Sequence, residues 1–383
     1  MAKSKRGRGD GGIEVLPSGL FRARVNAGID PATGKRTRLS RTFQNVIDAR
    51  KWLRQRHAEK DRAGVVAVSA DTLADWAAVW VAGKKDSQAA ATWAGYKKHL
   101  DKHVVPHLGA AKLRDLTPAA LSKWSAALAA AGVSPGQRRK VMTTLSACLN
   151  AAAVAGKIPA NPLRARGGVA RPRAKVREAE GYSAADARKI VAAAAGEPWE
   201  PLVLLLLDSG VRTGEALALA WRDFDAAAGT VRVRGSLQEV PGLPLEVKPP
   251  KTTAGLRTVA VGPATVAGLL AHKARAATAG RAADADTVFP RADGGFTSKS
   301  TLAPHWRRIV ARAGVPYLRM YAMRHTSASL LVGAGVSVKA VSARLGHESI
   351  EITLKYYAHL MPGGDELAAA VLAGILHPGG AAQ

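Results

Sequence analysis

The sequence predicts a multidomain chain: a small α+β N-terminal domain, an all-α bundle, and a mixed, mainly α C-terminal domain with a small antiparallel sheet. Three observations predict this class. Apolar residues alternate with period two near the N-terminus. They recur at helical spacing across 71–160. Both periods then appear in turn after a break rich in Pro, Gly and Arg. The expected boundaries are 1–64, 65–165, a basic linker at 166–180, 181–362, and a C-terminal helix and tail at 363–383.

In the first domain, "GLFRARVNAG" sets Phe21, Ala23 and Val25 against Arg22, Arg24 and Asn26, the alternation of a strand. "DPATGK" (30–35) is a turn rich in Pro and Gly. "RTRLSRTF" reads as a second, basic strand and "NVIDARKWLRQRHAEKD" as a helix. Residues 1–64 hold 16 Lys/Arg against 6 Asp/Glu. So small and basic a unit reads as a nucleic-acid surface, with Arg22, Arg24, Lys35, Arg36 and Arg38 as candidate contacts.

The second domain reads as four helices. Asp71 or Thr72 caps a segment with Leu73, Trp76, Val79 and Trp80 at helical spacing, and Ser87 opens one with Trp93, Tyr96, Leu100 and Val104. Thr117, Pro118 and Gly132 punctuate the third; Ser134, Pro135 and Gly156 punctuate the fourth. The tryptophans lie on the helical stripe and read as core. Lys97, Lys98, Lys102, Arg138, Arg139 and Lys140 supply basic faces beside it, further candidates for nucleic-acid contact.

After the linker, "SAAD" (183–186) resembles a capping box with Asp in place of Glu. "PLVLLLLD" (201–208) is a short buried helix. "TVRVRG", "LEVKPPKT" and "LRTVAVG" are strands, the last two separated by a Thr-Ala-Gly turn and read as a hairpin. Helices resume near 263–275, 300–313 and 320–333.

The formal net charge of +27 predicts a polyanionic partner. Nucleic acid fits better than a membrane, because no stretch approaches the roughly 20 apolar residues of a spanning helix. The basic N-terminus lacks the apolar core of a signal peptide, so a cytoplasmic protein is expected. Cys148 is the one cysteine; this excludes an intrachain disulfide, a cysteine zinc cluster and a CxxC pair, and it reads as a small buried residue.

Four stretches of the C-terminal domain carry candidate chemistry. In "DSGVRTGEALALAWRDFD", Arg212 and Glu215 share a helix face. In "KPPKTTAGLRTVAV", Lys251 sits at the mouth of the hairpin. In "YAMRHTSASLL", Arg324 and His325 open an apolar helix, where an anion would be favoured. In "LGHESIEITLKYYAHL", Gly346 closes a helix, His347 stands in the break, and Thr353 leads to Tyr356 and Tyr357. Singly these read as an ion pair, a solvated lysine, a helix start and packing aromatics.

Together and in this order they resemble the tyrosine recombinase (phage integrase) family, across nearly the whole chain. His347 precedes Tyr357 by the family's ten residues, and Tyr357-Ala358-His359 matches the residues around its nucleophile; Tyr356 does not fit. The resemblance implies an arm-type DNA-binding domain at 1–64, a core-binding domain at 65–165 and a catalytic domain at 181–362. It implies site-specific DNA strand exchange through a 3′-phosphotyrosyl link, with Tyr357 as nucleophile, Arg212 and Arg324 as phosphate clamps, and Lys251 as general acid. His347 would hydrogen-bond the phosphate or assist proton transfer, and Glu215 would support the arginines. Cofactor and metal are both expected to be absent. The implied partners are double-stranded attachment sites, a homo-tetramer on DNA and an accessory bending or directionality factor, in the nucleoid of a bacterial host. Beyond 361, Leu367, Val371 and Ile375 fall on one side of a helix behind a glycine hinge, as in a segment exchanged between protomers.

One position departs from the family pattern. Where it usually has His-x-x-Arg, this chain has Tyr321-Ala322-Met323-Arg324. A phenol is a poor base near neutral pH. His325, adjacent to Arg324, is expected to point elsewhere on the helix and not to replace the histidine. Which group accepts the Tyr357 proton is left open. A non-cleaving DNA-binding relative and a type IB topoisomerase are the alternatives, disfavoured by the retained residues and by the two-part N-terminal region respectively.

Overall fold

The computed structural model describes residues 12–29, 36–62, 70–165, 169–173, 180–250, 252–361 and 364–376. Contacts divide the chain into two compact units, residues 1–174 and 175–383.

In the first unit, β1 (Gly12–Val15), β2 (Phe21–Ile29) and β3 (Arg36–Phe43) form an antiparallel sheet with β2 in the centre. The alternation of β2 shows in its burial: Ala23 and Val25 face inward and Arg24 outward. Helix α1 (Val46–Arg62) packs on this sheet. The 30–35 turn lies outside the described residues.

The helices α2 (Leu73–Ala82), α3 (Ala90–His99), α4 (Val105–Leu108), α5 (Pro118–Ala130) and α6 (Pro135–Val154) build a bundle, with a π-helical turn (Leu100–Val104) joining α3 to α4. Thr72 caps α2, its hydroxyl accepting from the Asp75 backbone while Asp75 receives the Thr72 N–H. Helix α3 starts later than Ser87 suggests: Ala89 is its N-cap, without a side-chain hydrogen bond. Trp80, Trp124, Leu121, Leu145 and Cys148 lie in the core. Trp76 donates to the Cys148 carbonyl at 3.0 Å and Trp124 to the His103 carbonyl at 2.8 Å, so the indoles are spent inside the bundle. Burial pushes the Cys148 thiol up to about 12, leaving it inert.

The second unit packs α7 (Ala184–Ala194), α8 (Glu200–Ser209), α9 (Thr213–Ala216), α10 (Pro263–Thr278), α11 (Lys299–Ala313) and α12 (Ala322–Gly333) with two small sheets. Its core gathers Leu202, Leu205, Leu206, Trp221, Val259, Phe289, Trp306 and Met323. Ser183 caps α7 through the Asp186 N–H. Strands β4 (Phe224–Asp225), β5 (Thr230–Val233) and β8 (Arg257–Ala260) form one sheet; β6 (Ser236–Gln238) and β7 (Glu246–Lys248) form the other. The expected hairpin of β7 with β8 is therefore corrected. β7 pairs back to β6 and β8 to β5, because Pro249 and Pro250 bring no backbone donor and end β7 before it can turn onto β8. Helices α13 (Val338–Leu345), α14 (Ile350–Tyr357) and α15 (Gly364–Leu376) follow. Among the described residues, no helix is long and apolar enough to cross a membrane.

Candidate active site

A cavity of about 1220 Å³ opens in the second unit, lined by Arg212, Glu215, Tyr321, Arg324, His325, His347, Tyr356 and Tyr357 among others. It brings together residues from α9, α12, the α13–α14 turn and α14. Lys251 lies outside the described residues, although its neighbours Pro250 and Thr252 line the same cavity.

Arg324 is 2 % exposed. Its Nη1 donates to the Gly210 carbonyl at 2.9 Å. Gly210 ends α8 at φ 65, which turns that carbonyl toward the guanidinium; a Cβ there would lie 2.8 Å from Leu345. Nη2 of Arg324 is buried with no hydrogen-bond partner among the described residues. Burial, aided by Arg212, lowers the Arg324 pKa to about 10, so it stays charged at neutral pH.

Glu215 is the buried carboxylate of this wall. It accepts from the Arg212 backbone at 2.9 Å, from Arg212 Nη1 at 2.6 Å and from Arg257 Nη2 at 2.8 Å. Burial opposes its charge, but Arg257 and Arg212 outweigh it and hold the carboxyl below its usual range. Arg257, unremarked in the sequence, also donates to the carbonyls of Arg344 at 2.7 Å and Gly255 at 3.3 Å. The signal available was its place on β8, where it breaks the apolar register.

Gly346 ends α13 in the left-handed conformation at φ 66, and a Cβ would sit 2.7 Å from Arg257. The turn presents His347, whose Nδ1 lies 2.7 Å from Thr353 Oγ1. Burial, then Arg324, Arg212 and Arg257, push His347 down to about 4, so it is neutral at pH 7. In the tautomer with the proton on Nε2, Thr353 donates to Nδ1 and leaves an N–H donor.

Tyr357 is 2 % exposed, and burial pushes its phenol pKa up. Tyr356 packs against it, with ring centroids 6.4 Å apart, and Lys355 stands over the Tyr356 ring. One expectation is overturned here: His325 does reach the site. Its Nδ1 lies 2.6 Å from Tyr357 Oη. Tyr321, Arg324 and His325 stand at i, i+3 and i+4, so all three share a face. Tyr321 is half-exposed and meets the His325 ring at 82°, with centroids 5.0 Å apart.

In the first unit, Arg24 is exposed and paired with Glu14, and Arg22 is half-buried. Arg36 and Arg38 lie on β3, while Lys35 is outside the described residues. Lys97, Lys98, Arg139 and Lys140 are exposed on α3 and α6. Burial lowers the His99 pKa, with His103, Lys140 and Lys98 adding to it, so α3 and α6 bring cationic charge to one place. Lys97 pairs with Asp101, and Arg138 Nε donates to the Val133 carbonyl at 3.1 Å.

Residues 183–362 match the Phage integrase family, and residues 72–129 match Phage integrase, N-terminal SAM-like domain. The chain is 29% identical over 343 residues to the prophage phiRv2 integrase of Mycobacterium tuberculosis H37Rv, covering 87% of this chain and 88% of that protein. It is 28% identical over 360 residues to the integrase of Mycobacterium phage L5, covering 91% and 93%. Among solved structures, the Tn1549 transposon integrase in complex with a circular intermediate DNA shares the fold, with a TM-score of 0.66 and 18% identity over 80% of this chain and 100% of that one. A lambda integrase tetramer bound to a Holliday junction does so at 0.59 and 18%, over 94% and 99%. The chain belongs to the phage integrase family of tyrosine recombinases. It is a site-specific recombinase.

Proposed function

We propose that this recombinase cuts and rejoins double-stranded DNA at attachment sites to integrate or excise a phage or mobile element. The observation that carries the reading is Nη2 of Arg324, buried and without a hydrogen-bond partner among the described residues, in the cavity that holds the Tyr357 hydroxyl. A buried guanidinium with an unmade hydrogen bond is costly, and a non-bridging phosphate oxygen would complete it.

Tyr357 Oη attacks the phosphodiester and forms a 3′-phosphotyrosyl bond, and the 5′-oxygen leaves. Arg212 and Arg324 stabilise the charge that develops on the non-bridging oxygens. Neutral His347 donates to the same oxygens. Glu215 and Arg257 position Arg212 and the His347 turn, and Lys251 protonates the leaving 5′-oxygen. The 5′-hydroxyl of a partner strand reverses the step, so the energy of the broken bond is conserved. Tyr356 packs beside the nucleophile.

The sheet and helix at 1–64 serve as the arm-type DNA-binding domain, with Arg22, Arg24, Lys35, Arg36 and Arg38 at the phosphates. The bundle at 65–165 serves as the core-binding domain, using Lys97, Lys98, Arg138, Arg139 and Lys140. Four protomers assemble on DNA, and an accessory bending or directionality factor is a further partner. Val371, Leu372, Ile375 and Leu376 on α15 are exposed, which supports exchange of that helix between protomers.

A nicked suicide substrate carrying the attachment site tests the reading. A covalent protein–DNA adduct is expected from the native protein and Tyr356→Phe, and none from Tyr357→Phe. An adduct that depends on Tyr356 instead would overturn the nucleophile assignment, and no adduct from any of them would favour a non-cleaving DNA-binding protein.

A further inference from the structure

The geometry points to His325 as the base that takes the Tyr357 proton during strand cleavage, in the place left by the tyrosine at 321. The inference rests on the reading of Tyr357 as nucleophile.

Three observations carry it. First, Nδ1 of His325 is 2.6 Å from Tyr357 Oη, within direct proton-transfer distance. Second, the other groups near the nucleophile are unsuited. His347 Nδ1 is engaged with Thr353, and its remaining nitrogen is better used as a donor to phosphate. Tyr321 offers only another phenol hydroxyl, which cannot hold a second phenol's proton, and Arg324 remains a cation. Third, the imidazole is held. Tyr321 stands edge-on to it at 5.0 Å, and the chain ahead of α7 closes on its backbone: a Cβ at Gly181 would lie 3.2 Å from the His325 carbonyl carbon. Burial, with Arg324 beside it, lowers the His325 pKa, so the ring is neutral and open to a proton at pH 7.

With its own proton on Nε2, His325 accepts the Tyr357 proton at Nδ1 while Oη forms its bond to phosphorus. The bond from phosphorus to the 5′-oxygen breaks, and that oxygen takes a proton from the acid. Burial raises the phenol pKa while the imidazole is a weak base, so transfer alone is uphill. It completes as Oη becomes an ester oxygen that no longer holds the proton. On rejoining, the imidazolium returns its proton to Oη as the phosphotyrosyl bond breaks. The groups that face the imidazole are Arg324 and Tyr321 on its own face, and Tyr357 and His347 from the α13–α14 segment. Glu180 lines the same cavity.

The test is the single-turnover rate of adduct formation on the suicide substrate, with DNA binding measured in parallel. His325→Ala is expected to slow cleavage on the order of 100-fold with binding retained, and added imidazole to restore part of the loss. His325→Gln keeps a polar side chain in the cavity and guards against a folding defect; it should be equally slow and lose the acid limb of the pH–rate profile. If native protein forms the Tyr357 adduct but both variants stay within threefold, the inference fails and the recombinase reading stands. A loss with an unchanged pH profile and no rescue by imidazole also overturns it, making His325 a packing residue. If native protein forms no adduct, both readings fall.

Discussion

Arg257 donates to Glu215 across 2.8 Å in a wall where each side chain is under one-tenth exposed. The same guanidinium holds the carbonyls of Gly255 and Arg344, so one side chain ties α9, the turn after residue 251 and the end of α13. Arg257→Ala should leave the Glu215 charge short of a partner and cost about 3–5 kcal/mol. Arg257→Lys should recover little, since an ammonium lacks the planar fork. Urea midpoints of the two variants check this; a Lys variant as stable as native protein would show that charge alone suffices.

Gly346→Ala should lower stability by about 1–3 kcal/mol, the usual cost of a strained backbone position. Its larger effect is on the reaction. The new methyl meets Arg257 at 2.7 Å, and the turn it displaces carries His347. Adduct formation by the folded fraction should fall at least tenfold while binding persists. Cleavage that merely follows the folded fraction would separate the turn from the chemistry.

Acidification should destabilise the second unit before its carboxylates titrate. His347 is depressed to about 4 by burial and the three arginines. From pH 6.5 downward the unfolded chain binds a proton at this site that the folded chain refuses, so stability falls as pH drops toward 4. His325, lowered by burial and Arg324, adds to the slope. Glu215 is also depressed: its contribution is full above the unfolded carboxylate range and lost as pH falls through its lower folded value. The urea midpoint should therefore decline from pH 6.5 to 4, and His347→Asn should flatten the upper part. A flat midpoint in native protein removes this account.

Binding should weaken steeply with salt. A net charge of +27 engaging phosphates releases counterions, and six contacts would lower affinity about 1000-fold between 50 and 200 mM salt. Substituting Lys98, Arg139 and Lys140 together should reduce the slope of log K against log salt; an unchanged slope would remove that face from the interface.

Local features were legible in sequence because they depend on neighbours in the chain. The caps at Thr72, Thr117, Ser134 and Ser183 and the helix end at Gly346 are of this kind. So was the contact of Arg212 with Glu215, although Arg212 stands extended at the N-cap of α9 and not on the helix itself. Long-range pairing was not: β7 and β8 look like a hairpin until their partners β6 and β5 are known. Arg257 went unnoticed for the same reason, since Glu215 and Arg344 lie 42 and 87 residues away from it. The reach of His325 was not legible from its neighbour Arg324, because the helical step that matters is the one to Tyr321, four residues earlier on the same side.

A sulfur leaving group should separate the two proton transfers. Lys251 lies outside the described residues, and its assigned role is to protonate the departing 5′-oxygen. An alkoxide leaves poorly without that proton, whereas a thiolate, with a pKa near about 8.5, leaves without help. On a substrate with sulfur at the bridging 5′ position, the deficit of Lys251→Ala, expected at about 100- to 10,000-fold with oxygen, should shrink to within about tenfold. The deficit of His325→Ala should persist, because its proton comes from the attacking oxygen, which sulfur substitution leaves unchanged. Rescue of both variants would place both residues on the leaving-group side. Rescue of neither would remove Lys251 as the acid and leave His347 and Lys248, which line the same cavity, as the donors to test.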